Sequence, residues 1–268
     1  MPDREVLGLR GKMSLGVVAS ETLTNSLLGG LATGRHGVLR ITKFLTEREC
    51  MEILNQDIDS QFERYDPARY AAEAYRIGPT LNEHRVPHGV SNKYWRHASA
   101  ARSFWLAEDR NLVPHNWISA KLQHFLNKPA KPAIIRGQEL YWGIIREMNK
   151  GTLTHWDDIS LEFPQAPFDF SIDNQIALNV FISAPTAGGE LVMWDQRWHP
   201  DDEEHRVGFG YTPDVIRTDR CVSLRPAAGE AILFDPRNYH TVTTASKGRR
   251  ISFSTFLGIS KQTLWLWS

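Results

Sequence analysis

His155 and Asp157 stand two residues apart in the stretch MNKGTLTHWDDISLEF. A neutral imidazole and a carboxylate are natural ligands for a divalent metal. On an extended strand residues i and i+2 point the same way, so both could reach one ion. A third candidate, His240, follows an apolar run in FDPRNYHTV. Two histidines and one carboxylate leave up to three positions of an octahedral ion open, the arrangement of non-heme Fe(II) oxygen chemistry. H-x-D alone also arises by chance in a polar turn; the distal histidine in a β-rich region gives it weight.

The residues after His240 extend this reading. HTVTTASKGRRISFSTF looks like a hairpin whose second strand opens with Arg249 and Arg250. Arginine stays charged and grips a carboxylate bidentately. One of the two could hold an acid whose other end chelates the metal, and 2-oxoglutarate has that shape. Flush pairing across ASKG would put Arg249 on the face of His240; a three- or five-residue loop, or a bulge, would put Arg250 there. An exposed basic hairpin is the plain alternative. Asn179, polar within the apolar run ALNVF, could face the cosubstrate or make an ordinary buried hydrogen bond.

The other histidines invite simpler readings. His84 and His88 are four apart, but Pro87 between them argues against one helical face. His36, His97, His115 and His124 stand alone, and His199 and His205 lie in the acidic stretch WHPDDEEHR.

The elements that must position these residues change character along the chain. Val38–Ile41 reads as a strand, and Thr46 with Glu49 forms a capping box opening a helix through about Ser60. NWISAKLQHFLN has helical spacing through Trp117, Ile118, Leu122 and Phe125. From about Leu140 short apolar runs alternate with turn clusters: ELYWGIIREM, QIALNVFIS, GELVMWD, EAILFD, HTVTT and RRISFSTFLGI. Such spacing predicts a β-sandwich or barrel. The expectation is a single α+β domain over residues 1–268, with a helix-rich part (1–136) supporting an antiparallel β core (about 137–260).

Composition excludes several classes. The 268 residues are 41% hydrophobic and 23% charged with a formal net charge of +0, which supports a large core and no global pull toward nucleic acid. Cys50 and Cys221 are the 2 cysteines, too few and too far apart for a disulfide framework. The N-terminus MPDREVLGLRGKM lacks a signal-peptide core, and no run has membrane-spanning length. These features point to the cytoplasm, with no membrane partner; oligomeric state is not readable.

With these residues in place, the sequence resembles the Fe(II)/2-oxoglutarate-dependent oxygenases. His155-x-Asp157, His240 and Arg250-x-Ser252 stand where that family has its metal and cosubstrate residues. GVLRITKFLTERECMEIL and RPAAGEAILFDPRNYHTV look like its entry strand with first helix and its approach to the distal ligand. The resemblance spans roughly residues 37–260. It implies a double-stranded β-helix, a jelly-roll or cupin-like core; Fe(II), 2-oxoglutarate and O2 as cofactor and cosubstrates; and Arg250, helped by Ser252, over Arg249. APTAGGELVMWDQRW resembles a small-molecule branch containing hydroxylases of free and N-acylated amino acids and carrier-independent aliphatic halogenases. Those halogenases have a small residue in place of the carboxylate ligand, so Asp157 implies hydroxylation.

For the substrate, Arg76, Arg85 and Arg146 could meet a carboxylate, and Trp142, Trp156 or Trp194 could wall an apolar pocket. Strand parity puts Trp156 opposite the ligand pair. Three rivals remain at this stage: a cupin-type dioxygenase or isomerase without 2-oxoglutarate, a non-catalytic β-domain, and an oxygenase acting on a peptide or natural product.

Overall fold

The computed structural model describes residues 15–68, 70, 72–86, 89–107, 114–163 and 168–268. His88 and the N-terminal stretch 1–14 lie outside them. Strand β1 (Val17–Ser20) precedes α1 (Asn25–Ala32), whose first turn is capped by the Thr24 hydroxyl accepting from Leu27 N. After β2 (Val38–Ile41), the expected capping box is present: Thr46 accepts from Glu49 N while Glu49 accepts from Thr46 N. The helix it opens, α2 (Glu47–Leu54), stops short of the expected Ser60. Asp57 takes a left-handed φ of 43°, and the chain continues as a 3-10 turn at Ile58–Gln61. Helices α3 (Asn92–Leu106) and α4 (Pro114–Leu126) follow, the latter burying Ile118, Leu122 and Leu126 along one face. Among the described residues no helix is long and apolar enough to cross a membrane.

The remaining strands of the two main sheets, in chain order, are β3 (Glu63–Arg64), β4 (Tyr75–Ile77), β5 (Ala130–Pro132), β6 (Ile144–Glu147) and β7 (Asn174–Ser183). They continue with β8 (Leu191–Arg197), β9 (Cys221–Leu224), β10 (Ala231–Phe234), β11 (Asn238–Val242), β12 (Ile251–Ile259) and β13 (Leu264–Trp267). The large sheet runs β1-β2-β10-β7-β12-β6-β4-β3, with β13 pairing β12 and β5. The smaller sheet is β9-β8-β11. The front third therefore supplies strands as well as helices, and the sheet continues past residue 260.

Strand β7 shows why this layering forms. Ile176, Leu178 and Val180 pack with helix residues such as Leu31, Ile53 and Leu122. Ala177 and Phe181, on the opposite face, pack with Ile232 and Phe234 against Leu191, Met193 and Leu224 of the small sheet. A strand covered on both faces reads as a nearly unbroken apolar run, and QIALNVFIS is one. Two sheets enclosing one core, with helices on the outer face of the larger, form the expected jelly roll.

Two local expectations change. Strands β11 and β12 do not form a hairpin: β11 pairs β8 in the small sheet, whereas β12 pairs β6, β7 and β13 in the large one. The link between them crosses from sheet to sheet, held by a short ladder of Ala187–Gly188 with Ala245–Lys247. Likewise the extended strand expected to carry His155 and Asp157 is an isolated bridge of His155 with His240, separate from the strand Ile144–Glu147 that precedes it. The chain turns at Gly151, with φ of 75°, and runs back beside β11.

A Cβ at Gly151 would lie 2.4 Å from the Val242 carbonyl oxygen, and this backbone conformation already disfavours any L side chain. Gly151→Ala is expected to cost roughly 2–4 kcal/mol through strain and displacement of this ladder. Urea unfolding checks this; an unchanged midpoint would show that the turn relaxes freely.

Candidate metal centre and its cavity

The segment returning from Gly151 is stitched to β11 by backbone. His155 N–H donates to His240 O at 2.9 Å and His240 N–H donates back to His155 O at 2.8 Å. This is a hydrogen-bonded antiparallel pair, whose side chains project from the same face. The two imidazole centroids lie 4.2 Å apart. Asp157 N–H donates to Pro236 O at 2.9 Å, so Asp157 recurs on that face two residues on. Parity between 155 and 157 thus holds, although it comes from pairing with β11.

Each imidazole is oriented by its own backbone. His155 Nδ1 lies 2.8 Å from Leu153 O, and His240 Nδ1 lies 2.9 Å from Asn238 O. We assign Nδ1–H as the donor in both, which leaves Nε2 with its lone pair toward the other ligand candidates. Asp157 Oδ2 is 3.6 Å from His240 Nε2. One donor atom from each of the three residues lies within 4.8 Å of the others. Burial, followed by the neighbouring His155, holds His240 well below the usual histidine range; burial also pushes the Asp157 carboxyl up. Two imidazole nitrogens and a carboxylate oxygen, convergent and pre-oriented, suit a divalent ion of the iron type.

Supports on both sides hold the ligand candidates. Asp235, buried in the DPRN turn, accepts from Arg197 at 2.7 Å and from Arg237 at 2.7 and 2.6 Å, fixing the entry to β11. Gln175 Oε1 accepts from Ile159 N at 2.9 Å, and its Nε2 donates to Asp157 O at 3.5 Å. Ile159 opens α5 (Ile159–Glu162), capped by Asp158. Gln175 was not singled out by sequence, because its partners are loop atoms that no local pattern identifies.

The arginine pair separates cleanly. Arg249 points outward to Glu147 and Asp59. Arg250 is 4% exposed, donates from Nε to Gly189 O at 3.1 Å, and sits 5.0 Å from the Phe181 ring centroid. No carboxylate among the described residues lies within ion-pair distance of it. Burial, with Arg146 nearby, pulls its pKa down to about 10. Ser252 Oγ is 3.2 Å from Ser254 Oγ, which donates to Asn179 Oδ1 at 2.7 Å. Arg250, Ser252 and Asn179 therefore share the inner side of the large sheet, and Asn179 makes a hydrogen bond there.

Beside the candidate ligands opens a cavity of about 640 Å³, reached by His155, Asp157, Arg85, Arg146 and Glu162. Aromatic residues including Tyr65, Tyr70, Trp156 and Phe209 wall it. Trp156 lines the same cavity as His155 and Asp157 and donates from Nε1 to Tyr211 OH at 3.0 Å. Trp142 packs against His115 and Phe253, and Trp194 joins an outer aromatic cluster, so neither lines this cavity. Arg76 is bound by Glu83 at 2.7 Å and Glu63 at 3.1 Å. His84 is buried with its ring centroid 5.2 Å from that of His97.

Residues 167–268 match the family model described as the carrier-protein-independent halogenase WelO5. Over 246 residues the chain is 33% identical to an L-gamma-glutamyl-L-propargylglycine hydroxylase of Streptantibioticus cattleyicolor, covering 91% of this chain and 92% of that protein. The chain belongs to the Fe(II)/2-oxoglutarate-dependent oxygenases. A shorter match, 28% identical over 86 residues, is to the L-isoleucine 3(1)-dioxygenase of Pantoea ananatis and covers 31% of this oxygenase and 29% of that enzyme. The fold is shared with an N-substituted L-amino acid dioxygenase from Burkholderia ambifaria, at TM-score 0.58, 17% identity, and coverage of 91% and 90%. The readings without 2-oxoglutarate or without catalysis end here. The halogenase model begins ten residues after Asp157, so it is silent on the ligand that separates halogenation from hydroxylation.

Gln175→Leu would leave the buried Ile159 N–H without its acceptor. The oxygenase is expected to lose about 1–3 kcal/mol of stability, readable as a lower urea midpoint; an unchanged midpoint would mean that water takes over the bond.

Proposed function

We propose that this oxygenase hydroxylates an unactivated aliphatic carbon of a small amino acid or N-acyl amino acid. His155, Asp157 and His240 would hold Fe(II), and the catalytic unit would be one domain over residues 1–268. The observation carrying this reading is the convergence of those three donor atoms beside a cavity of small-molecule size. Arg250 would take the far carboxylate of 2-oxoglutarate, with Ser252 and Asn179 on the same inner surface. Its burial without a described acidic partner supports that role, since a buried guanidinium calls for an anion. The names of the hydroxylase and dioxygenase relatives support an amino-acid substrate class. The free thiols of Cys50 and Cys221 agree with a reducing compartment, and we place the reaction in the cytoplasm.

Bound Fe(II) with 2-oxoglutarate and O2 supplies oxidising power for a C–H bond and releases succinate and CO2. The chain supplies geometry. Leu153 O and Asn238 O hold the imidazoles in one tautomer and orientation. Arg250 fixes the end of the cosubstrate remote from the reaction. The aromatic walls keep water from the reacting carbon. Asp157 occupies the ligand position that the related halogenases leave to a small residue, which favours oxygen transfer.

Anaerobic titration with Fe(II) and 2-oxoglutarate is expected to give a visible charge-transfer band that disappears in Asp157→Ala and in His240→Ala. A folded wild-type protein without the band would contradict the assignment. In the same titration Arg250→Met should weaken 2-oxoglutarate binding at least about 30-fold, whereas Arg249→Met should leave it within about threefold. The reverse ranking would give the anchor to Arg249. Asp157→Gly supplied with chloride should yield detectable chlorinated product from any substrate the wild type hydroxylates; hydroxylation alone by this variant would remove Asp157 as the determinant.

A further inference from the structure

The cavity before the metal centre carries charge that the fold leaves uncompensated. Glu83 is taken up by Arg76 and Thr80. Glu203 is taken up by Arg206, Tyr211 and Trp198. Asp157 faces the two histidines. Arg146 and Glu162 have no ion-pair partner among the described residues.

Arg146 lies in β6 between Arg76 on one side and Ser252 on the other. Its Nε is buried without a hydrogen-bond partner, and no carboxylate among the described residues lies within ion-pair distance. Glu162 ends α5, one short helix beyond Asp157. Arg85 donates at 2.8 Å to the backbone carbonyl of Glu162; its carboxyl has the Asn82 side chain as a hydrogen-bond partner, and no ion pair to it occurs among the described residues. Burial, and then the charge of Asp157, push this carboxyl well above its usual range. A guanidinium and a carboxyl kept apart at one cavity both gain from a ligand bearing the opposite charges. Arg146 lines this cavity and Arg250 does not.

We propose that Glu162 receives a free ammonium group of the substrate and Arg146 a carboxylate, so that the oxygenase acts on amino-acid substrates whose amine and carboxyl are both unblocked. This rests on the cavity being the substrate site of a 2-oxoglutarate-dependent hydroxylase.

The test is a panel of L-amino acids and γ-glutamyl-L-amino acids, each with its amine free or acetylated and its carboxyl free or amidated. Succinate release above the substrate-free rate is measured with Fe(II) and 2-oxoglutarate. Blocking the amine or the carboxyl should lower kcat/KM on the order of 10- to 100-fold, the range for one charged hydrogen bond. Glu162→Gln should raise KM for the free amines by a similar factor without raising it for acetylated members, and Glu162→Asp should recover part of the loss. Arg146→Met should raise KM for the substrate and not for 2-oxoglutarate. Acetylated members that react as well as free ones, a panel without any stimulating member, or an Arg146→Met effect on 2-oxoglutarate alone would each overturn the proposal. If Glu162→Gln fails to fold, the wild-type panel still decides. Failure of the underlying reading looks different: the wild type would then give no charge-transfer band at all.

Discussion

Two backbone hydrogen bonds, exchanged between His155 and His240, set the spacing on which the rest of the site depends. They join a strand of the small sheet to a segment that otherwise has no regular structure. Because the bonds are between main chains, the separation of the two backbones is fixed first, and Leu153 O and Asn238 O then orient the imidazoles. Thr152 extends the same contact, donating its N–H to Val242 O and accepting from Val242 N through its hydroxyl. The DPRN turn and Gln175 then hold the flanks. A site built on paired backbone resists thermal displacement better than one carried by an isolated loop.

The interior of the jelly roll divides into unlike halves. One is an ordinary core of Phe181, Met193, Leu224 and Phe234. The other is a polar strip of Arg250, Ser252, Ser254 and Asn179. Placing a guanidinium in such an interior works against folding, and Gly189 O with the Phe181 ring offsets only part of that. Arg249, its neighbour, does the opposite work by tying the surface through Glu147 and Asp59. Two consecutive arginines thus lie in opposite surroundings, one buried and one tying the surface.

This contrast explains what the sequence revealed and what it hid. H-x-D with a distal histidine was legible because ligand chemistry restricts residue type, and two-residue periodicity survives any change of pairing partner. The capping box at Thr46 and Glu49 was legible because it is entirely local. The false hairpin at ASKG arose because alternation shows which faces are apolar but not which sheet receives a strand. Arg249 and Arg250 stayed ambiguous for the same reason; Phe181 and Glu147, distant in sequence, settle which points inward. Arg146 was visible only as one of three arginines, since the lack of an ion-pair partner among the described residues leaves no mark in a sequence. Trp142 and Trp194 lie elsewhere because bulky aromatics serve cores and clusters as readily as pockets.

The cavity wall and the ligand face differ in construction. Tyr65, Tyr70, Leu81, Trp198 and Phe209 come from turns, 3-10 segments and connections, whereas His240 and Ser252 stand on paired strands. Connections absorb substitutions and length changes that a ladder does not. Lineages sharing this scaffold can therefore drift in what they admit while retaining the same oxidative step. The open side of the barrel is where new specificities would accumulate at little risk to folding.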